Sequence, residues 1–234
     1  MKKLNFILIA AVAMFFYSCK DDSGDFVSTY YTDGNYQAAI VECLQLSVDT
    51  ANARLCVEDG FYHYKDSIYR VELPVSANDI IAKLTENGKG EMVDSLVLKI
   101  NRTLEGNGSN IRNAVREAIT ATTFNAPVNL VQAKSNHAIT DYFKNNNMLS
   151  LQDVLRTSVQ NGMNSNGATS LWNRILIDYR EYEEQPVSID LTQHATQQML
   201  NHIFTEMALE EELIRKDTTH IKSDKLKMIF LQTK

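Results

Sequence analysis

Proline and glycine are scarce in this chain, three and nine among 234 residues. With so few breakers the sequence runs in long uninterrupted stretches, and helices are the expectation. Basic residues are also in deficit, 23 lysines and arginines against 29 acids. Binding nucleic acid or docking by charge on anionic lipid needs a basic footprint, so both roles are excluded. Familiar catalytic signatures are missing as well: there is no Gly-x-Ser-x-Gly, His-Glu-x-x-His, Walker loop or dinucleotide fingerprint. No solenoid-period repeat is present. An apolar fraction of 44% suits a packed globule, and the length suits one domain or two small ones.

Cysteine is the other rarity, and one of the three stands in a telling place. Lys2 and Lys3 open the chain, "LNFILIAAVAMFFYS" follows, and Cys19 then gives way abruptly to "KDDSGD". A basic start, an apolar run and a small residue before the cut site make a secretory signal. The run is shorter than the roughly 20 apolar residues a spanning helix needs. Ser18-Cys19 resembles a bacterial lipobox, in which the thiol carries a diacylglyceryl thioether. Residues 1–18 read as the signal peptide and 19–33 as the lipidated cysteine with a solvated acidic tether. Residues 34–234 form the folded domain. Lys20-Asp21-Asp22 also resembles the export signal of surface lipoproteins in some diderm bacteria. Cleavage takes the basic count from 23 to 21 against an unchanged 29 acids, a formal charge of −8.

Apolar stripes at helical spacing recur along the rest. Ile40, Leu44, Val48, Ala51 and Leu55 mark a first helix that also carries Cys43 and Cys56. Thirteen residues of helix span about 20 Å, beyond the ~7 Å reach of a disulfide, so both are expected as buried free thiols. Tyr69, Val71 and Leu73 alternate over a short extended piece before Pro74. Ser76 with Asp79, and Ser150 with Asp153, have the spacing of capping boxes. "EGNGSN" interrupts a helix, with Ser109 or Asn110 as the new cap, and "NGMNSNG" is a loop. Pro127 suits a first helical turn, "SNHAITDYF" a further capped helix, and Asp190 the cap of the longest pattern, Leu200 to Ile214. Glu211–Arg215 and Glu212–Lys216 are i,i+4 pairs on it. A last helix starts near Ser223 and buries Leu226, Ile229 and Phe230. The fold class is all-α, a multi-helix bundle of eight or more helices with short loops.

Few residues suggest chemistry. His194 and His202 lie about 12 Å apart along one helix, too far to share a metal. His202, Glu206 and Glu210 stack at i,i+4 spacing, a face that can hold a cation, although a solvated helix face is the expected state. Tyr30, Tyr31, Tyr36, Phe61, Tyr62 and Tyr64 flank the first helix and either line a carbohydrate or lipid groove or cap a core. Asp49-Thr50-Ala51, Asp66-Ser67-Ile68, Asp94-Ser95-Leu96 and Asp217-Thr218-Thr219 resemble acceptors for bacterial O-glycosylation, with Asp66-Ser67-Ile68 the exposed one.

The marks "DGF" at 59–61, "LP" at 73–74, "NRTLE" at 101–105, "AITDYF" at 138–143, "DL" at 190–191, "EELIR" at 211–215 and "LKMIF" at 226–230 occur in one order. In that order and spacing the chain resembles DUF4197, a family of unknown function, from about residue 34 to about 231. It departs by inserting "GNGSN" at 106–110 and by Thr103-Leu104 where the family has two alanines. The resemblance implies a helical, exported protein and brings no activity. Its matched polar positions are Asn101, Arg102, Glu105, Glu211 and Arg215. They either converge on an anionic ligand or lock helix register as buried pairs, and Arg102 with Glu105 also has pairing distance within its own helix.

The functional expectation is a lipoprotein of the outer membrane, held through Cys19 on the periplasmic side or at the cell surface. Its domain is a non-catalytic binding or envelope-assembly module, with an envelope protein as possible partner and no cofactor or metal. The alternatives are a carrier of an apolar ligand, or a hydrolase or metal-dependent enzyme with an unrecognised site.

Overall fold

A computed structural model describes residues 31–63, 68–183, 187–217, 220–221 and 223–231. Contacts divide the chain after Thr32, and the helical unit begins at Asp33. The expected lipobox, with Cys19, lies outside the described residues. Among those described, no helix is long and apolar enough to cross a membrane.

Nine α-helices occur, and no strand, among the described residues: α1 Asp33–Leu55, α2 Asn78–Glu86, α3 Gly90–Gly106, α4 Gly108–Ala121, α5 Pro127–Val131, α6 Ala138–Ser165, α7 Ala168–Tyr179, α8 Leu191–Lys216 and α9 Asp224–Leu231. The all-α expectation holds. The long helices α1, α6 and α8 form the centre, with α8 packed along both others. Helix α4 lies against α1 and α6, while α5 and α9 cover α1. Helices α2, α3 and α7 make a second group that meets the centre chiefly at α6, with α3 also touching α8. Each stripe faces inward: Ile40, Leu44, Val48, Ala51 and Leu55 of α1 are fully buried, as are Met199, Leu200, Ile203 and Met207 of α8.

Several local signals give way to tertiary packing. Ser150 begins no new helix; α6 is continuous for 28 residues because Ile139, Phe143, Leu151, Leu155, Val159 and Met163 share one buried face. Its hydroxyl donates back to the Asn147 carbonyl at 2.9 Å. The expected loop at 161–167 is helical to Ser165, since buried Met163 and Gly162, whose Cα faces Thr103, dock α6 on α3. Only Asn166 and Gly167 turn, and Asn166 bonds to the Lys99 carbonyl at 2.6 Å. Ser76 caps nothing: Pro74 starts a 3-10 turn over Val75–Ala77 that runs straight into α2. The break in "EGNGSN" is the single residue Asn107, and neither Ser109 nor Asn110 caps α4.

Pro127 does open α5, and the Asp190 carboxylate accepts from the Gln193 N–H at 2.9 Å. Cys43 is buried and Cys56, one residue beyond α1, is half-buried; both are free. Gly60 completes the stop after α1. A Cβ there would lie 2.3 Å from the Leu55 carbonyl oxygen, so only glycine lets the chain fold back under the helix end.

Candidate functional site

The five matched polar residues do not converge. They form two separate clamps, each built on one Arg–Glu pair. Buried Asn101 on α3 has its carboxamide against the extended segment 69–73: Oδ1 accepts from the Val71 N–H and Nδ2 donates to the Val71 carbonyl, both at 2.9 Å. Nδ2 also donates to its own helix at Val97, 2.8 Å. The side chain thus does what a neighbouring strand would do, and Tyr69, Val71 and Leu73 are buried beneath it without any sheet.

One turn on, the Glu105 carboxylate accepts from the consecutive N–H groups of Phe61 and Tyr62, each at 3.2 Å. Its other oxygen receives Arg102 at 2.6 Å, and Arg102 also reaches Asp59 at 2.6 Å. Asp59 has φ +62°, and successive N–H groups after such a residue form an anion-holding nest. Here the resident anion is the protein's own Glu105. The bonds to Glu105 and Asp59 hold the Arg102 guanidinium above its usual pKa. Burial, with the Glu105 charge nearby, pushes the Cys56 thiol up to about 12, so it is an inert thiol at neutral pH.

The second clamp repeats this chemistry elsewhere. The Glu211 carboxylate, fully buried on α8, accepts from Ile139 N–H at 3.1 Å and Thr140 N–H at 2.7 Å. It caps the first turn of α6, where the local sequence supplies no side-chain cap. Arg215 bonds Glu211 at 2.8 Å and donates to the Val131 and Leu130 carbonyls at 2.7 and 2.9 Å, closing the C-terminal end of α5. One i,i+4 pair on α8 therefore fixes the end of one helix and the start of the next. This is the register-locking alternative.

A third polar set contradicts the expected solvated face of α8. Glu206 and Glu210 are buried because that face packs on α1, whose Arg54 reaches Glu206 at 2.9 Å and Glu210 at 3.4 Å. The Tyr69 hydroxyl also bonds Glu206, and His220 meets Glu210 at 2.5 Å. His202 is not part of this carboxylate group; its ring packs edge-on to Tyr69 and beside Phe61, centroids 5.4 and 6.3 Å away. Burial lowers its pKa. Among the described residues no group of three His, Cys, Asp or Glu is placed to hold a metal ion. His194 sits apart, bonded to the Glu72 carbonyl at 2.9 Å.

The aromatic set divides too. Tyr36 and Phe61 are core, and the Arg70 and Arg102 guanidinium groups lie 5.5 and 5.8 Å from the centroid of the Tyr62 ring. Tyr30 and Tyr64 lie outside the described residues. Of the triplets, Asp49-Thr50-Ala51 and Asp94-Ser95-Leu96 are helical, with Ala51 and Leu96 buried. The hydroxyl residues Ser67 and Thr218 lie outside the described residues. Reading by spacing missed Arg54, Asp59, Tyr69 and His220. The one available signal was Arg54, a cation inside an apolar helical pattern.

Fold and clamps define a class: an all-α bundle whose conspicuous buried charges hold helix ends and loops in place. Within that class, residues 30–231 match the model of the family described as Protein of unknown function (DUF4197), and the chain belongs to it. No curated protein and no solved structure matches the chain.

Proposed function

We propose that this protein is a lipoprotein held to the outer membrane through Cys19, and that its helical domain is a non-catalytic binding or envelope-assembly module. The observation that carries the anchor is the transition at Ser18-Cys19, from a basic-then-apolar leader to "KDDSGD". A net-negative domain gives the bilayer no electrostatic reason to retain it, so an acyl chain supplies the attachment. One chain binds only marginally, whereas two or more anchor stably. The non-catalytic part of this reading is supported by the use to which the conspicuous polar groups are put. Asn101, Arg102, Glu105, Glu211 and Arg215 are each consumed in bonds that hold segments of the fold together.

Radiolabelled palmitate should enter the native chain and not the Cys19→Ala variant, and the variant should leave the membrane fraction. Unlabelled native protein, or a variant still sedimenting with membranes, would refute the anchor. Protease treatment of intact cells separates the two faces: digestion means the cell surface, protection the periplasmic side. Crosslinking in envelope membranes, followed by purification, tests the assembly role; recovery of the chain alone counts against it.

A further inference from the structure

Four of the nine glycines follow an asparagine, in Asn87-Gly88, Asn107-Gly108, Asn161-Gly162 and Asn166-Gly167. Each such step carries a latent reaction. The glycine amide nitrogen, once deprotonated, can attack the preceding side-chain carbonyl carbon, because no Cβ shields it. A bond from that nitrogen to Cγ forms, the Cγ–Nδ2 bond breaks, and ammonia leaves with protons taken from solvent. Water then opens the resulting succinimide at either carbonyl, giving aspartate or isoaspartate. Whether a step reacts depends on whether the fold lets the carboxamide and the next amide nitrogen meet.

Three of the four are held apart. The Asn107 side chain is buried, donates to the Thr103 carbonyl at 2.9 Å and accepts from Asn110 at 3.1 Å. Asn166 is tied three times: Nδ2 donates to the Lys99 carbonyl at 2.6 Å and to Thr103 Oγ1 at 2.8 Å, and Oδ1 accepts from the Ala168 N–H at 3.0 Å. The Asn161 side chain is exposed, but its backbone lies within α6. A Cβ on Gly162 would sit 2.7 Å from Thr103 Cγ2, so α3 pins that peptide as well.

Asn87 differs on each count. It is exposed, as is Gly88, in the three-residue turn between α2 and α3. Among the described residues its carboxamide has one bond, from Nδ2 back to the Lys83 carbonyl of its own helix at 2.8 Å. Gly88 has φ +74°, and a Cβ there would meet nothing within 4 Å. The Gly88 N–H bonds the Thr85 carbonyl at 3.1 Å and the Lys89 N–H the Leu84 carbonyl at 2.7 Å, the pattern that closes a helix on glycine. Such bonds at a solvated helix end are the cheapest to open. We propose that the fold makes Asn87 the principal site of spontaneous deamidation in this chain. The new carboxylate stands at the C-terminal end of α2, where the helix dipole disfavours it. Isoaspartate also adds a methylene to the main chain of a tight turn.

The test ages the full chain in detergent at mildly alkaline pH and maps its peptides over time by mass spectrometry. Chromatography separates the aspartyl from the isoaspartyl product. Asn87 should convert at least about tenfold faster than Asn107, Asn161 or Asn166, the ratio expected when the others must open one or two further contacts. In guanidinium chloride the four steps should react at comparable rates. Isoelectric focusing of the aged folded protein should show an acidic form that Asn87→Ser does not produce, with the far-UV spectrum and melting curve of that variant as the folding check. An Asn87 that converts no faster than the other three in the folded protein overturns the proposal. So does a lead that persists unchanged in guanidinium chloride, since flanking sequence and not the fold would then set the order. An acidic form that persists in Asn87→Ser overturns it too.

Discussion

Glutamate 211 is fully buried and holds three donors: two backbone N–H groups of α6 and the Arg215 guanidinium. Glutamine keeps its shape but loses the charge and turns one acceptor into a donor facing another donor. Removing one partner of a buried pair costs about 3–5 kcal/mol, and Glu211→Gln is expected near that range in urea unfolding at neutral pH. Thr140, one of the residues so capped, makes the converse case. Its hydroxyl is buried without a partner among the described residues, so Thr140→Val removes an unsatisfied group. Stability should change by no more than about 0.5 kcal/mol, or rise. A loss above about 2 kcal/mol would show that the hydroxyl is bonded after all. His202 predicts a pH dependence. Burial lowers its folded pKa below the ordinary histidine value of 6.5, so the unfolded chain binds the proton more tightly. Its contribution is complete above that value and is lost as pH falls through the window below it. Unfolding at pH 5 and pH 7.5 should show a smaller difference for His202→Phe than for the native chain.

At the scale of elements, two glycines two residues apart should behave oppositely. A Cβ on Gly106, which ends α3, would meet nothing within 4 Å, whereas a Cβ on Gly108 would lie 2.7 Å from the Cys56 Cβ. Gly106→Ala should stabilise by about 0.4–1 kcal/mol through the unfolded chain. Gly108→Ala should cost about 1–3 kcal/mol, because the start of α4 must move off the end of α1. Equal melting temperatures for the two variants would mean that α1 and α4 are not in close contact. The same pair of elements shows how far local sequence could be read. The apolar stripes of α1, α8 and α9 were legible because burial repeats every three or four residues, and so was the Asp190 cap, whose partner is three residues away. Continuity was not: Ser150-x-x-Asp153 has the spacing of a helix start, yet lies inside a stripe running from Ile139 to Met163. A capping box is a local preference of order 1 kcal/mol, and a buried 28-residue face outweighs it. The clamps were illegible in a different way. Arg102–Glu105 and Glu211–Arg215 are visible as pairs, but the N–H groups they hold lie 43 or 44 and 71 or 72 residues distant, and no spacing reveals those.

For the molecule as a whole, the two clamps pin different junctions. Glu105 and Arg102 tie α3 to the turn after α1, and Glu211 and Arg215 tie α8 to the end of α5 and the start of α6. They share no residue and no partner among the described residues, so a defect in one leaves the other's bonds intact. Substitutions at independent sites add to within about 0.3–0.5 kcal/mol, whereas residues of one network couple by about 0.5–3 kcal/mol. Glu105→Gln, Glu211→Gln and the double variant therefore make a cycle whose interaction energy should be zero within that error. A coupling above about 1 kcal/mol would mean the two sets act as one site, the convergent ligand-gripping arrangement in place of two separate clamps. Urea midpoints and slopes must be compared together, because a changed slope would signal that one junction melts before the rest. If the junctions are separate fasteners in one cooperative bundle, all four proteins unfold with the same slope and the midpoints step down additively.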